Sequence, residues 1–64
     1  MKQKRQAMIL SIIEQYDIET QDELLEKLAE AGFNTTQATI SRDIREINLT
    51  KVAVAGGTQK YTLG

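Results

Sequence analysis

Between Thr36 and Ile47 the sequence TQATISRDIREI interleaves two kinds of residue. Ile40, Ile44 and Ile47 recur at i, i+4 and i+7, a narrow apolar stripe of helical period that needs only one supporting surface. At about 100° per residue, Ala38, Ser41, Arg42 and Arg45 cluster on the opposite side, with Gln37 and Thr39 in the first turn. No large apolar group stands on that outward face. Its side chains have the chemistry of base-pair edges: Arg pairs bidentately with guanine, Gln with adenine, Ser with several edges, and Ala or a Thr methyl meets the thymine methyl. The first turn of such a helix usually reaches base edges, and its dipole favours a nearby phosphate. The competing reading is plain solubilisation, with Arg42 and Arg45 exposed beside Asp43 and Glu46.

The elements that must hold this helix can be read on either side of it. In Lys2 to Tyr16, the residues Ile9, Ile12, Ile13 and Tyr16 fall at helical spacing among Lys, Gln, Ser and Glu, which predicts an amphipathic first helix. Asp17-Ile18-Glu19 interrupts the pattern, and β-branched Ile18 suits a very short strand added to a later hairpin. Thr20-Gln21-Asp22-Glu23 matches a capping box and starts a second helix. Leu24, Leu25, Leu28 and Ala31 form its stripe, and Gly32 stands where a helix C-terminus needs positive φ. Phe33 is the sole Phe and is expected to anchor the connecting loop in the core. Thr36 is the N-cap candidate of the third helix. After Asn48 the period becomes two: Thr50, Val52 and Val54 share one side of a strand, and Gln59, Tyr61 and Leu63 one side of another, with Gly56-Gly57 as the turn. The expected fold is α+β, a winged helix-turn-helix of three helices and a β-hairpin wing in one domain, residues 1–64. In that architecture the third helix enters the major groove of double-stranded DNA. Lys51 and Lys60 on the wing suit the phosphate backbone. Exposed Lys on an edge strand also discourages aggregation, and the two readings weigh equally.

Size and composition narrow the alternatives. A chain of 64 residues buries only about 60% of its unfolded surface, so the core must be thin. With neither Cys nor His it lacks disulfides and the ligands of structural zinc. No nucleophile-base pair is visible around Ser41, and Glu23, Glu26 and Glu30 fit no calcium loop, so an enzyme is not expected. No apolar run approaches the roughly 20 residues that cross a bilayer, and no export signal is evident, which suggests a cytoplasmic protein without a membrane partner. The net charge of −1 hides a segregation. From Ala7 to Thr36 seven acids face one base, a local charge of −6, whereas the two flanks carry +5. Brought together, those flanks make a basic face. The rival to DNA binding is a winged-helix protein-interaction module, with the acidic second helix as the partner surface.

The run Thr36-Gln37-Ala38-Thr39-Ile40-Ser41-Arg42-Asp43-Ile44-Arg45-Glu46-Ile47, followed by Leu49 and Lys51-Val52, resembles the recognition-helix signature of bacterial arginine repressors. Ile18-Glu19-Thr20-Gln21-Asp22-Glu23-Leu24 resembles that family's second-helix start, and the similarity extends from about Arg5 to Leu63. The resemblance implies the DNA-binding domain of a repressor regulating arginine metabolism. It implies Gln37, Ser41 and Arg42 as base-reading residues and Arg5 and Lys51 as phosphate contacts; Thr36, Thr39, Arg45 and Lys60, from their places on the third helix and the hairpin, are expected in support. In the family a second domain follows, binding L-arginine as co-effector and assembling hexamers from trimers. These 64 residues, which stop where the interdomain linker would begin, are expected to bind no cofactor and to be monomeric. Gln6 stands where many relatives have His, Ala53 where they often have Pro, and Gly64 in place of a Pro that commonly ends the hairpin.

Overall fold

A computed structural model describes residues 2–64. The elements run α1 (Lys2–Gln15), α2 (Gln21–Glu30), α3 (Gln37–Glu46), β1 (Leu49–Ala53) and β2 (Gln59–Leu63). Three helices precede a two-stranded antiparallel hairpin, the expected winged α+β arrangement. α1 packs on α2 and β2, while α3 packs on α2 and β1.

Local chemistry sets the helix boundaries. The Thr20 hydroxyl accepts from the Glu23 amide at 3.1 Å, and the Glu23 carboxylate accepts from the Thr20 amide at 3.1 Å, so the predicted capping box is complete. α2 stops at Gly32, whose φ of +93° carries the chain out of the helix. α3 begins on Thr36, which accepts from the Thr39 amide at 3.2 Å. Beyond α3 the chain turns at Asn48, held at φ +59°, a conformation Asn tolerates better than most residues. β1 then starts at once.

Ile9, Ile12, Ile13, Ile18, Leu24, Leu28, Ile40 and Tyr61 form the buried core, with Phe33, Ile44, Ile47 and Leu49 among the half-buried residues packed on it. Phe33 therefore anchors its loop as expected, and its amide also donates to the Leu28 carbonyl at 2.8 Å. Two residues assigned to apolar stripes lie elsewhere. Tyr16 follows the last turn of α1 and is 46% exposed, its ring covered by the Lys27 ammonium at 4.4 Å. Ala31 is the exposed C-cap of α2. Ile18 forms no strand, yet it is buried and its carbonyl accepts from the Tyr61 amide at 2.8 Å, which ties the α1–α2 turn to the hairpin.

The hairpin register pairs Leu49 with Leu63, Lys51 with Tyr61 and Ala53 with Gln59. Gly56 and Gly57 both take positive φ, 95° and 84°, as the predicted turn demands. At the other end the Gly64 amide donates to the Asn48 carbonyl at 3.0 Å, a bond that a proline at this position could not make. A Cβ at Gly64 would stand 2.8 Å from that same carbonyl oxygen.

Candidate nucleic-acid interface

α3 divides as its sequence pattern suggests, with one substantial difference. Gln37, Ala38, Arg42 and Arg45 are exposed, Thr39 and Ser41 are half-buried, and Ile40 faces the core. Arg45 Nη1 donates to the Ser41 hydroxyl at 3.4 Å, so these two groups form one polar patch beside Arg42. The Gln37 amide nitrogen donates to the Asp22 carboxylate of α2. That bond leaves the Gln37 amide oxygen and one N–H uncommitted, the pair an adenine edge requires. The Thr36 and Thr39 hydroxyls are bonded to each other at 3.1 Å and belong to the helix cap.

The difference is Asp43. Far from lying beside the arginines in solvent, it is 1% exposed on the inner face of α3. The Arg5 guanidinium grips it with two bonds, Nε to Oδ2 and Nη2 to Oδ1, the second at 2.9 Å. Gln6 Nε2 donates to the same Oδ1 at 2.9 Å and to Glu46 at 3.1 Å, and Lys2 lies 3.2 Å from Glu46. The N-terminal turns of α1 thus meet α3 through a polar cluster. Hydrogen bonding from Arg5 holds the Asp43 carboxyl below the usual carboxylate range against the opposing effect of burial, and the Arg5 pKa rises in return. Glu46 is lowered by its bonds from Gln6 and Lys2.

These pairings decide where positive charge is available. Lys60 lies 3.4 Å from Asp17 and Lys27 3.8 Å from Glu30. Among the described residues, Lys4, Arg42, Arg45 and Lys51 have no carboxylate partner. Two of those four stand on the outer face of α3 and one on the wing. Lys51 is exposed with its ammonium 5.0 Å from the Tyr61 ring centroid. Lys60 precedes that tyrosine by one residue and so lies on the other side of the ribbon. The two wing lysines are not brought together.

A family model described as "Arginine repressor, DNA binding domain" matches residues 1–64. The chain belongs to the arginine repressor family. It is 57% identical over 63 residues to an arginine repressor of Caldicellulosiruptor saccharolyticus, covering 98% of this chain and 41% of that protein. A Geobacillus kaustophilus arginine repressor is 58% identical over 62 residues, 97% of this chain and 42% of the relative. One from Lachnoclostridium phytofermentans is 57% identical over 61 residues, 95% and 40% respectively. This arginine repressor domain therefore spans about two fifths of the length of the curated relatives it matches. Their names are those of regulators, not enzymes.

Within the arginine repressor domain, the residues that sequence reasoning missed are those of the polar cluster. A signal for Asp43 was present: it stands three residues after Ile40 and four before Ile47, on the stripe itself. An acid on the apolar side of a helix calls for a cation on whatever packs there, and the basic start of α1 supplies it. Arg5, expected at a phosphate, has a side chain only 17% exposed and is committed to that carboxylate through two of its nitrogens.

Proposed function

We propose that this chain binds double-stranded DNA with sequence preference, as the DNA-binding part of a transcriptional regulator of arginine metabolism. The observation that carries this reading is the outer face of α3, where Gln37, Ser41, Arg42 and Arg45 present hydrogen-bonding groups and no large apolar side chain. The match to the arginine repressor DNA-binding domain supports it independently. Arg42 pairs with a guanine edge, Gln37 with an adenine edge, and Ser41 fills in between. Lys51 meets the phosphate backbone from the wing, with Thr36, Thr39 and Arg45 in support, and Lys60 joins them only on leaving Asp17. Arg5 has Nη1 left over from its grip on Asp43 and offers it to a phosphate at the edge of the site. L-arginine acts outside these 64 residues, as does the assembly of any hexamer.

The test uses a duplex recovered by repeated selection from a random-sequence library, titrated beside a scrambled duplex at two salt concentrations. Both affinities should fall with salt, and the selected duplex should bind more tightly at each. Equal affinity for the two would remove base reading. No binding to either would leave a protein-docking module.

A further inference from the structure

We infer that Asp43 is a positioning residue for sequence recognition: by accepting from Arg5 and Gln6 it fixes how α3 is rotated and seated under α1, and so where Arg42 and Gln37 stand. This rests on the reading of α3 as the base-contacting helix. It does not require Asp43 to touch DNA.

Burying a carboxylate is costly unless its bonds are satisfied, and a well-packed apolar pair of similar volume commonly gives equal or better stability. Stability alone therefore gives no reason for a charge at a position the helical period marks for a hydrophobe. What a charged pair adds is directionality. Ile40, Ile44 and Ile47 supply an apolar seam that tolerates small rotations and slides of the helix. The Asp43 carboxylate instead has both oxygens engaged, Oδ2 by Arg5 Nε and Oδ1 by Arg5 Nη2 and Gln6 Nε2, the last two at 2.9 Å. Two parallel bonds from a planar guanidinium to a planar carboxylate have a narrow geometric tolerance. Among the described residues no buried side-chain polar atom is left without a partner, so a rotation of the helix that broke these bonds would leave a buried charge unsatisfied. Arg42 is the adjacent residue on α3, and a turn of the helix that releases Asp43 also swings Arg42 away from its aim. Glu46, one turn further on, repeats the link outside through Gln6 and Lys2.

The experiment compares the ratio of affinities for a selected duplex and a scrambled duplex across four chains, each checked for folding by circular dichroism. The chains are wild type, Asp43→Asn, the apolar pair Arg5→Met with Asp43→Leu, and Thr20→Ala as a destabilised control remote from the cluster. Loss of a phosphate contact weakens both duplexes alike, so the ratio does not register it. The apolar pair should fold and its ratio should fall at least tenfold. Asp43→Asn, nearly isosteric, should lose part of the ratio, while Thr20→Ala keeps it. A wild-type ratio in either folded Asp43 variant would overturn the positioning role, and should the apolar pair not fold, Asp43→Asn decides. A wild-type chain that fails to discriminate the duplexes would instead remove the reading of α3, and this inference with it.

Discussion

Arg42 and Lys51 are both exposed cations without a carboxylate partner, and the proposed function assigns them to different kinds of contact. If Arg42 pairs with a guanine edge, Arg42→Ala should lose about 1 to 3 kcal/mol against the selected duplex and relax preference at one position of each site. Lys51→Ala should weaken all duplexes about equally and lower the salt slope by roughly one unit. Titrations of each variant against selected and scrambled DNA separate the two, and uniform weakening by Arg42→Ala would make Arg42 a backbone clamp. Asp43 gives a second expectation at this scale. Its pKa is lowered in the folded state, so the unfolded chain binds the proton more readily. The stability it contributes is therefore complete above the ordinary carboxylate range of about pH 4 and lost as pH falls through the native value. Arg5, raised, contributes stability that would be lost only at extreme alkaline pH. Thermal midpoints measured from neutrality downward should decline below about pH 4, and Asp43→Asn should flatten that limb. An equally steep limb in the variant would mean that Asp43 is not the group responsible.

At the scale of elements, the caps are the testable joints. Thr20→Ala removes the acceptor for the Glu23 amide and half of the capping box, and should cost about 1 kcal/mol. In a domain this small that is a fall of several degrees in the thermal midpoint. Scanning calorimetry that finds the midpoint unchanged would sink the capping role. These joints were also what made the fold legible. Thr20 and Thr36, Gly32, and the Gly56-Gly57 turn each announce a boundary by local chemistry, and the isoleucine and leucine stripes supply the periods between them. Burial of Ile18 could be suspected from its type, but its bond to Tyr61 could not, because that contact spans the whole chain between α1 and β2. For the same reason the partner of Asp43 is not legible in the sequence: Arg5 lies 38 residues away, and only folding brings the two together.

At the scale of the whole molecule, charge and surface act together. The net charge is −1, but the ion pairs of Arg5, Lys2, Lys27 and Lys60 absorb half of the eight basic residues. What remains is concentrated on α3, the wing and the start of α1, which is how a slightly acidic protein can present a positive face. The outer face of α3 was legible because its residue types are unusual together; which bases stay unpaired was not, since pairing is a property of the folded arrangement. The exposed large apolar side chains, Tyr16, Val52 and Leu63, sit singly on different elements and make no broad patch. Sedimentation of these 64 residues should therefore give a monomer. A tight dimer or hexamer would reveal an interface that these three side chains do not account for.

The two tyrosines give the molecule a pair of matched magnetic reporters. Each ring carries a lysine ammonium over its face, Lys27 on Tyr16 between α1 and α2 and Lys51 on Tyr61 in the wing. Ring currents shield protons held in that position, so the terminal methylenes of both lysines should resonate upfield of ordinary lysine values in a proton spectrum. If DNA draws Lys51 toward a phosphate as proposed, its resonances should move back downfield while those of Lys27 on the Tyr16 ring stay in place. With no Trp and one Phe in the chain, few other rings confuse the signal. Engagement of the wing would then be read without a label, with Lys27 as the reference.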